Sequence, residues 1–140
     1  MIAYWQLAPD EALIIRVTPP PEARYWSVEL GNAWWESMDY RDRLASTNYR
    51  HAELENDGEL ILIVAHEDPG LPNWLDASGH SEGYVTFRWI GLPAPPRPHA
   101  MRMKVGELEA LLPACRRMSP AERRAQLEDR RRGLTLRGFC

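Results

Sequence analysis

Residues 58–90 read GELILIVAHEDPGLPNWLDASGHSEGYVTFRWI. The run at residues 60–65 is apolar at every position and bounded by turn formers, the pattern of a short strand covered on both faces. Residues 83–90 alternate instead: Val85, Phe87 and Trp89 fall on one side, and Tyr84, Thr86 and Arg88 on the other. Period two marks a strand with one buried face and one wet face.

The same period recurs upstream. In residues 12–17 Leu13, Ile15 and Val17 share a face, and in residues 25–30 Trp26, Val28 and Leu30 do. A weaker pattern at residues 48–54 is followed by Asp57 and Gly58, which predicts a hairpin into residues 60–65. Met101, Met103 and Val105 predict one more strand, and prolines at 19–21 and within 93–98 break the chain between strands. Seven or so short strands without alternating helices predict a mainly β fold, an antiparallel jelly-roll-like β-sandwich over residues 1–112. A C-terminal helical extension over residues 113–140 should pack on the same domain. Two short helices are expected, residues 106–112 ended by Pro113 and residues 120–132 ended by Gly133, the second opened by Ser119, Pro120 and Glu122 as a capping box.

At 140 residues the chain holds one core, and its 44% hydrophobic and 26% charged content is that of a globular protein. Net charge is −3, yet from Arg116 onward eight arginines face three acids. Arginines spread around a short helix read as a solvated face, so no nucleic-acid partner is expected. No segment has the length of a membrane span or the form of a signal peptide, so no membrane partner is expected either. Cys115 and Cys140 have no metal-ligand spacing, and a reducing cytoplasm fits them. Gly-rich phosphate loops and C-x-x-C are missing from the sequence.

Two groups of residues are candidates for function. The long connection at residues 66–83 gathers His66, Asp68, Asn73, Trp74, Asp76 and His80. Imidazole and carboxylate are suitable ligands for zinc, iron or manganese, with His66 and His80 as the metal candidates, and either histidine beside Asp68 or Asp76 has the chemistry of a general base. Arg88 would then hold an anionic group of the substrate, its structural alternative being a cross-strand ion pair with Glu29 or another acid. The whole connection also reads as turns, with Asp and Asn satisfying backbone groups and Trp74 plugging the core. The second group is aromatic: Trp34 and Trp35 cannot both point inward if the segment is extended, so one is expected at a surface near Tyr40, stacked on a ligand or packed on a partner.

The segments LAPDEA (7–12), YWSV (25–28), WESMDY (35–40), DPGLPNWLD (68–76), Gly79-His80 and Arg88-Trp89 resemble an uncharacterised bacterial family, the C-terminal jelly-roll domain of larger two-domain proteins. The resemblance implies a β-sandwich and no catalytic residues, with Asn73, Trp74, Asp76, His80 and Arg88 as its recurrent positions. Relatives carry a further domain upstream, whereas this chain starts near the jelly roll. A homodimer or a separately encoded partner is therefore expected on the surface that domain would cover, with Trp34 and Trp35 near the contact. The favoured function is a non-enzymatic binding or assembly module using an aromatic surface. The alternative is a small enzyme, possibly metal-dependent, acting on an apolar or carbohydrate-like metabolite through the loop of residues 66–80.

Overall fold

The computed structural model describes residues 1–136. Eight strands form two four-stranded sheets: β1 (Ile2–Gln6), β2 (Glu11–Val17), β3 (Tyr25–Asn32), β4 (Ser46–Asn48), β5 (Leu60–Ala65), β6 (Trp74–Asp76), β7 (Glu82–Ile90) and β8 (His99–Lys104). The first sheet runs β1-β7-β3-β4 and the second β6-β5-β2-β8. A 3-10 turn (Val105–Glu107) leads into α1 (Leu108–Leu111), and α2 (Pro120–Leu136) follows.

Alternation decides which side chains meet between the sheets. Val28 and Leu30 of β3, Val85 and Phe87 of β7 and Ile15 and Val17 of β2 converge there with Trp5 and Trp26. β5 contributes to two buried clusters, so the single core expected from the length is divided by this strand. Leu60, Leu62 and Val64 face the first sheet, while Ile61, Ile63 and Ala65 lie under α1 with Ala12, Ile14, Leu71, Leu108 and Leu112. Full burial of an aliphatic side chain is worth about 1.5–3 kcal/mol against exposure. Set against the few tenths contributed by a surface ion pair, this double cover is what anchors the second sheet.

Several sequence expectations need correction. The hairpin between residues 48–54 and 60–65 does not form, because β4 stays on β3 and the Asn48 carbonyl accepts from His51 and Ala52, bending the chain away. Asp57-Gly58 does turn, with Gly58 at φ 84°, but it delivers the chain to the other sheet. The sandwich is not wholly antiparallel, since β6 lies parallel to β5, Ile63 opposite Trp74 and Ala65 opposite Asp76. A parallel pair ordinarily needs a long crossover, yet a three-residue strand paired only with the end of β5 needs a short one. β1 was not expected at all, although Ala3, Trp5 and Leu7 alternate; it pairs with β7 at the edge of the first sheet.

Last, α2 does not end at Gly133 but runs through it to Leu136. Its capping box is as the sequence predicts: the Glu122 amide donates to Ser119 Oγ at 3.3 Å and the Ser119 amide to Glu122 Oε2 at 2.7 Å. Those Ser119 donors and then Arg116 pull the Glu122 carboxyl down to about 2. Its arginines are not simply a solvated face. The one buried side chain of α2 is Arg123, and Arg130 and Arg131 reach Ser46 and Asp42 at 2.7 Å each. A helix with so few apolar residues docks through these polar contacts. Cys115 is a half-buried free thiol, whereas Cys140 lies outside the described residues. Among the described residues no helix is long and apolar enough to cross a membrane.

Candidate functional site

The outer face of the first sheet is built by the same alternation that builds its core. Tyr84, Thr86 and Arg88 of β7 point away from the core, flanked by Tyr4 and Ile2 on β1 and by Gly31, Glu29 and Ser27 on β3. The pairing sets Tyr4 opposite Tyr84 and Tyr84 opposite Gly31. Tyr4 meets Tyr84 edge-on, with centroids 5.6 Å apart. Its hydroxyl donates to the Glu82 carboxylate, and that contact raises the Tyr4 pKa.

On the other side of Tyr84 the missing side chain at Gly31 leaves room for the following segment to fold back. A Cβ there would stand 3.2 Å from the Glu36 carbonyl. Asn32 organises the return, its Oδ1 accepting from the amides of Trp34 and Glu36 at 3.0 Å each. Trp35 takes a left-handed φ of 64° and stacks on Tyr84, 5.3 Å between centroids and 23° between planes. Trp34 is left 84% exposed and Trp35 58% exposed. The expectation that one of the pair reaches the surface rested on extended backbone; the Asn32 turn replaces it and both indoles are outside.

Trp35, Tyr84, Thr86, Glu29 and Arg88 border a small depression of about 110 Å³. Arg88 is exposed opposite Ser27, and among the described residues no carboxylate pairs with it; Glu29 instead accepts from the Ser37 hydroxyl at 2.9 Å. Aromatic faces beside an unpaired guanidinium offer stacking, cation–π contact and bidentate recognition of a carboxylate. Exposed Ile2, Tyr4, Tyr49 and Ile90 and half-buried Tyr25 extend the apolar character of the face. α2 reaches the β4 side of this face, where Arg130 bonds Ser46 opposite Glu29, while Tyr4 and Trp35 stay exposed; α1 covers the second sheet.

The loop group is dispersed by comparison. Asp68 receives Arg123 in a two-pronged contact, Nε to Oδ2 at 2.8 Å and Nη2 to Oδ1 at 3.0 Å, while Arg123 also donates to the Leu71 carbonyl at 2.6 Å and lies 5.3 Å from the Trp74 ring. Asp76 is buried and accepts from Arg43 at 3.0 Å and from the Ser78 amide at 2.7 Å. Asn73, also buried, holds both the amide and the carbonyl of Glu53 and the Ile61 carbonyl from a left-handed φ of 54°. Trp74 donates to the Ala65 carbonyl at 3.1 Å. His66 is half-buried, its Nε2 without a partner among the described residues, and His80 is exposed. Among the described residues no group of three or more His, Cys, Asp or Glu side chains is arranged to hold a metal ion. Tyr40 stands apart from the other aromatics, lining a polar cavity of about 350 Å³ beneath α2 with Asn73 and Trp74, and its carbonyl accepts from Arg130.

Tyr4 is the member of the aromatic face that the sequence reading missed. Its outward direction follows from the alternation of Ala3 and Trp5 against Ile2 and Tyr4, a signal too short to mark a strand alone.

A family model for proteins of unknown function, DUF1214, matches residues 6–94. The chain belongs to the DUF1214 family. The match takes in β2 to β7 and the last residue of β1, and hence Trp35, Tyr84 and Arg88 of the aromatic face but not Tyr4. None of the curated proteins matches this DUF1214 chain. Among solved structures, an uncharacterised protein from Burkholderia cenocepacia is 40% identical with a TM-score of 0.73, covering 76% of this chain and 30% of that one. The VPA0106 protein from Vibrio parahaemolyticus, 15% identical with a TM-score of 0.55 over 74% of this chain and 31% of that one, shares the fold. The DUF1214 chain thus spans about 30% of the length of the solved relatives it matches.

Proposed function

We propose that this DUF1214 chain is a non-enzymatic binding or assembly module that takes a second protein chain on the outer face of its first sheet. The observation that carries the reading is the ladder Trp35–Tyr84–Tyr4 beside Arg88, left uncovered by the described chain. Tryptophan, tyrosine and arginine are the residue types that dominate binding energy at protein interfaces. The partner is a second copy or a separately encoded protein. Relatives whose chains extend well beyond the shared part support a two-domain organisation in which more polypeptide is available to such a face. The jelly-roll reading of the two sheets and a bacterial, cytoplasmic setting belong to the same proposal, its bacterial part supported by relatives from Burkholderia and Vibrio. The enzymatic reading through His66, Asp68, Asp76 and His80 has less support, because both carboxylates already face arginines.

Sedimentation velocity of the wild type, Trp34→Ala and Trp35→Ala tests the module. Self-association weakened about tenfold or more by either substitution, with His80→Ala unchanged, is the expected result. A monodisperse monomer at high concentration, with no host protein that binds the wild type and fails to bind Trp34→Ala, would count against it.

A further inference from the structure

A second feature lies on the opposite side of the first sheet. β1 and β8 are edge strands of their respective sheets, and between them the sandwich opens into a cleft of about 390 Å³. Its floor is core: Leu13 and Ile15 from β2, Val85 and Phe87 from β7. Protein interiors ordinarily leave few voids larger than a water molecule. Here the edge strands leave a gap where each presents a methyl group, Ala3 opposite Val85 and Ala100 opposite Ile15. Trp5, which also lines the cleft, has a buried indole N–H with no acceptor among the described residues.

The lining carries one cationic side chain. Arg102 on β8 is exposed, donates through Nη1 to the Gln6 carbonyl at 3.3 Å, and pairs with no carboxylate among the described residues. The volume is within the range of small-molecule sites, which are typically apolar with a few placed polar groups. An apolar slot with a guanidinium among its lining residues matches a ligand with an apolar chain and an anionic head, because a free guanidinium fork fits a carboxylate.

We propose that the inter-sheet cleft binds a small amphipathic carboxylate, its apolar chain lying between Leu13, Ile15, Val85 and Phe87 and its carboxylate held by Arg102. The site shares Tyr4 with the aromatic face and is otherwise built from different residues. Octanoate and octanol serve as charged and neutral probes, titrated into nitrogen-15-labelled full chain and followed by NMR. Both should give saturable shifts at the Ala3 and Ala100 amides and at the Trp5 indole N–H, with octanoate bound about tenfold more tightly, as one charge-assisted contact warrants. Arg102→Gln should remove that advantage and leave octanol binding unchanged. Ala100→Leu or Ala3→Leu, whichever retains the dispersed wild-type spectrum, should abolish binding of both probes by filling the slot. No saturable shift at millimolar probe, shifts centred on Trp35 and Tyr84 instead, or an octanoate advantage that persists in Arg102→Gln would each overturn the proposal. Should neither leucine variant fold, the Arg102→Gln comparison decides alone.

Discussion

Arg123 is the side chain on which the docking of α2 turns, and its replacement has a cost that the contacts bound. The side chain is 6% exposed and that of Asp68 is 33% exposed. Arg123 makes two charge-assisted bonds to Asp68, a third bond to the Leu71 carbonyl, a fourth to Gln126 at 2.7 Å, and a cation–π contact with Trp74. Removing one partner of a buried pair costs about 3–5 kcal/mol, chiefly through the charge left behind. In Arg123→Ala the charge left is Asp68, which rehydrates, so the lower end applies and about 3 kcal/mol is expected. Arg123→Met keeps the packing of the aliphatic stem and should lose about 2 kcal/mol. Asp68→Asn strands the buried guanidinium, so this change at the more exposed residue should cost at least as much as Arg123→Met. Urea unfolding followed by circular dichroism measures all three, and for a chain of this size about 3 kcal/mol corresponds to roughly 10 °C in Tm. Asp68→Asn within about 0.5 kcal/mol of wild type, the range of an ordinary surface change, would refute the assignment of this pair as the anchor of the helix.

Three further outcomes follow from local geometry. Gly83→Ala places a Cβ 2.2 Å from the Gly31 carbonyl oxygen and 3.0 Å from the Trp5 ring; the backbone oxygen cannot step aside, so destabilisation of about 3 kcal/mol is expected in urea unfolding. Asn73→Ala loses three side-chain hydrogen bonds and keeps a left-handed backbone, for about 3 kcal/mol, while Asn73→Gly should recover about 1 kcal/mol of this by relieving the strain; equal losses would show that the backbone is unstrained. Burial, then the hydrogen bond and charge of Glu55, push the Cys115 thiol from 9.0 up to about 11. Alkylation at pH 8 should therefore be about a hundredfold slower than for an unperturbed thiol, read by peptide mass spectrometry. Because the folded-state value is the higher one, the thiol's contribution to stability is present below pH 9.0 and fades as pH rises toward about 11.

The parts of the fold legible in the sequence are those specified by nearest neighbours along the chain. β5 declares its double burial because both parities are apolar, and β7 declares an inner and an outer face because its parities differ. The capping box at Ser119 is legible for the same reason, its partners being three residues apart. What could not be read depends on distant partners. The parallel placement of β6 rests on Asn73 reaching Glu53 and Ile61, and the docking of α2 rests on a carboxylate 55 residues from Arg123. The candidate site divides in the same way. The outward direction of Tyr84, Thr86 and Arg88 follows from period two, but the stacking of Trp35 on Tyr84 requires the Asn32 turn and the pairing of Gly31 with Tyr84.

The loop and the sheet face differ in whether their polar and aromatic groups find partners within the chain. Asp68, Asn73, Trp74 and Asp76 each close a hydrogen bond that fixes a neighbouring element, and removing any of them leaves an internal group unpaired. Such residues would recur among relatives for structural reasons alone. Trp34 is different. The turn that displays it holds Trp35 in a conformation that is a genuine outlier for a bulky side chain and costs of order 1–3 kcal/mol. The stack on Tyr84 is worth about 0.5–1.5 kcal/mol beyond burial, which at best roughly balances that strain, and Trp34, almost wholly in water, adds nothing further. A chain that only had to fold would lose little by placing glycine at position 35 and a polar residue at 34. The arrangement therefore makes more sense as a surface whose stabilising contacts are completed by a second molecule, and this is why the indoles, rather than the histidines, carry the functional proposal.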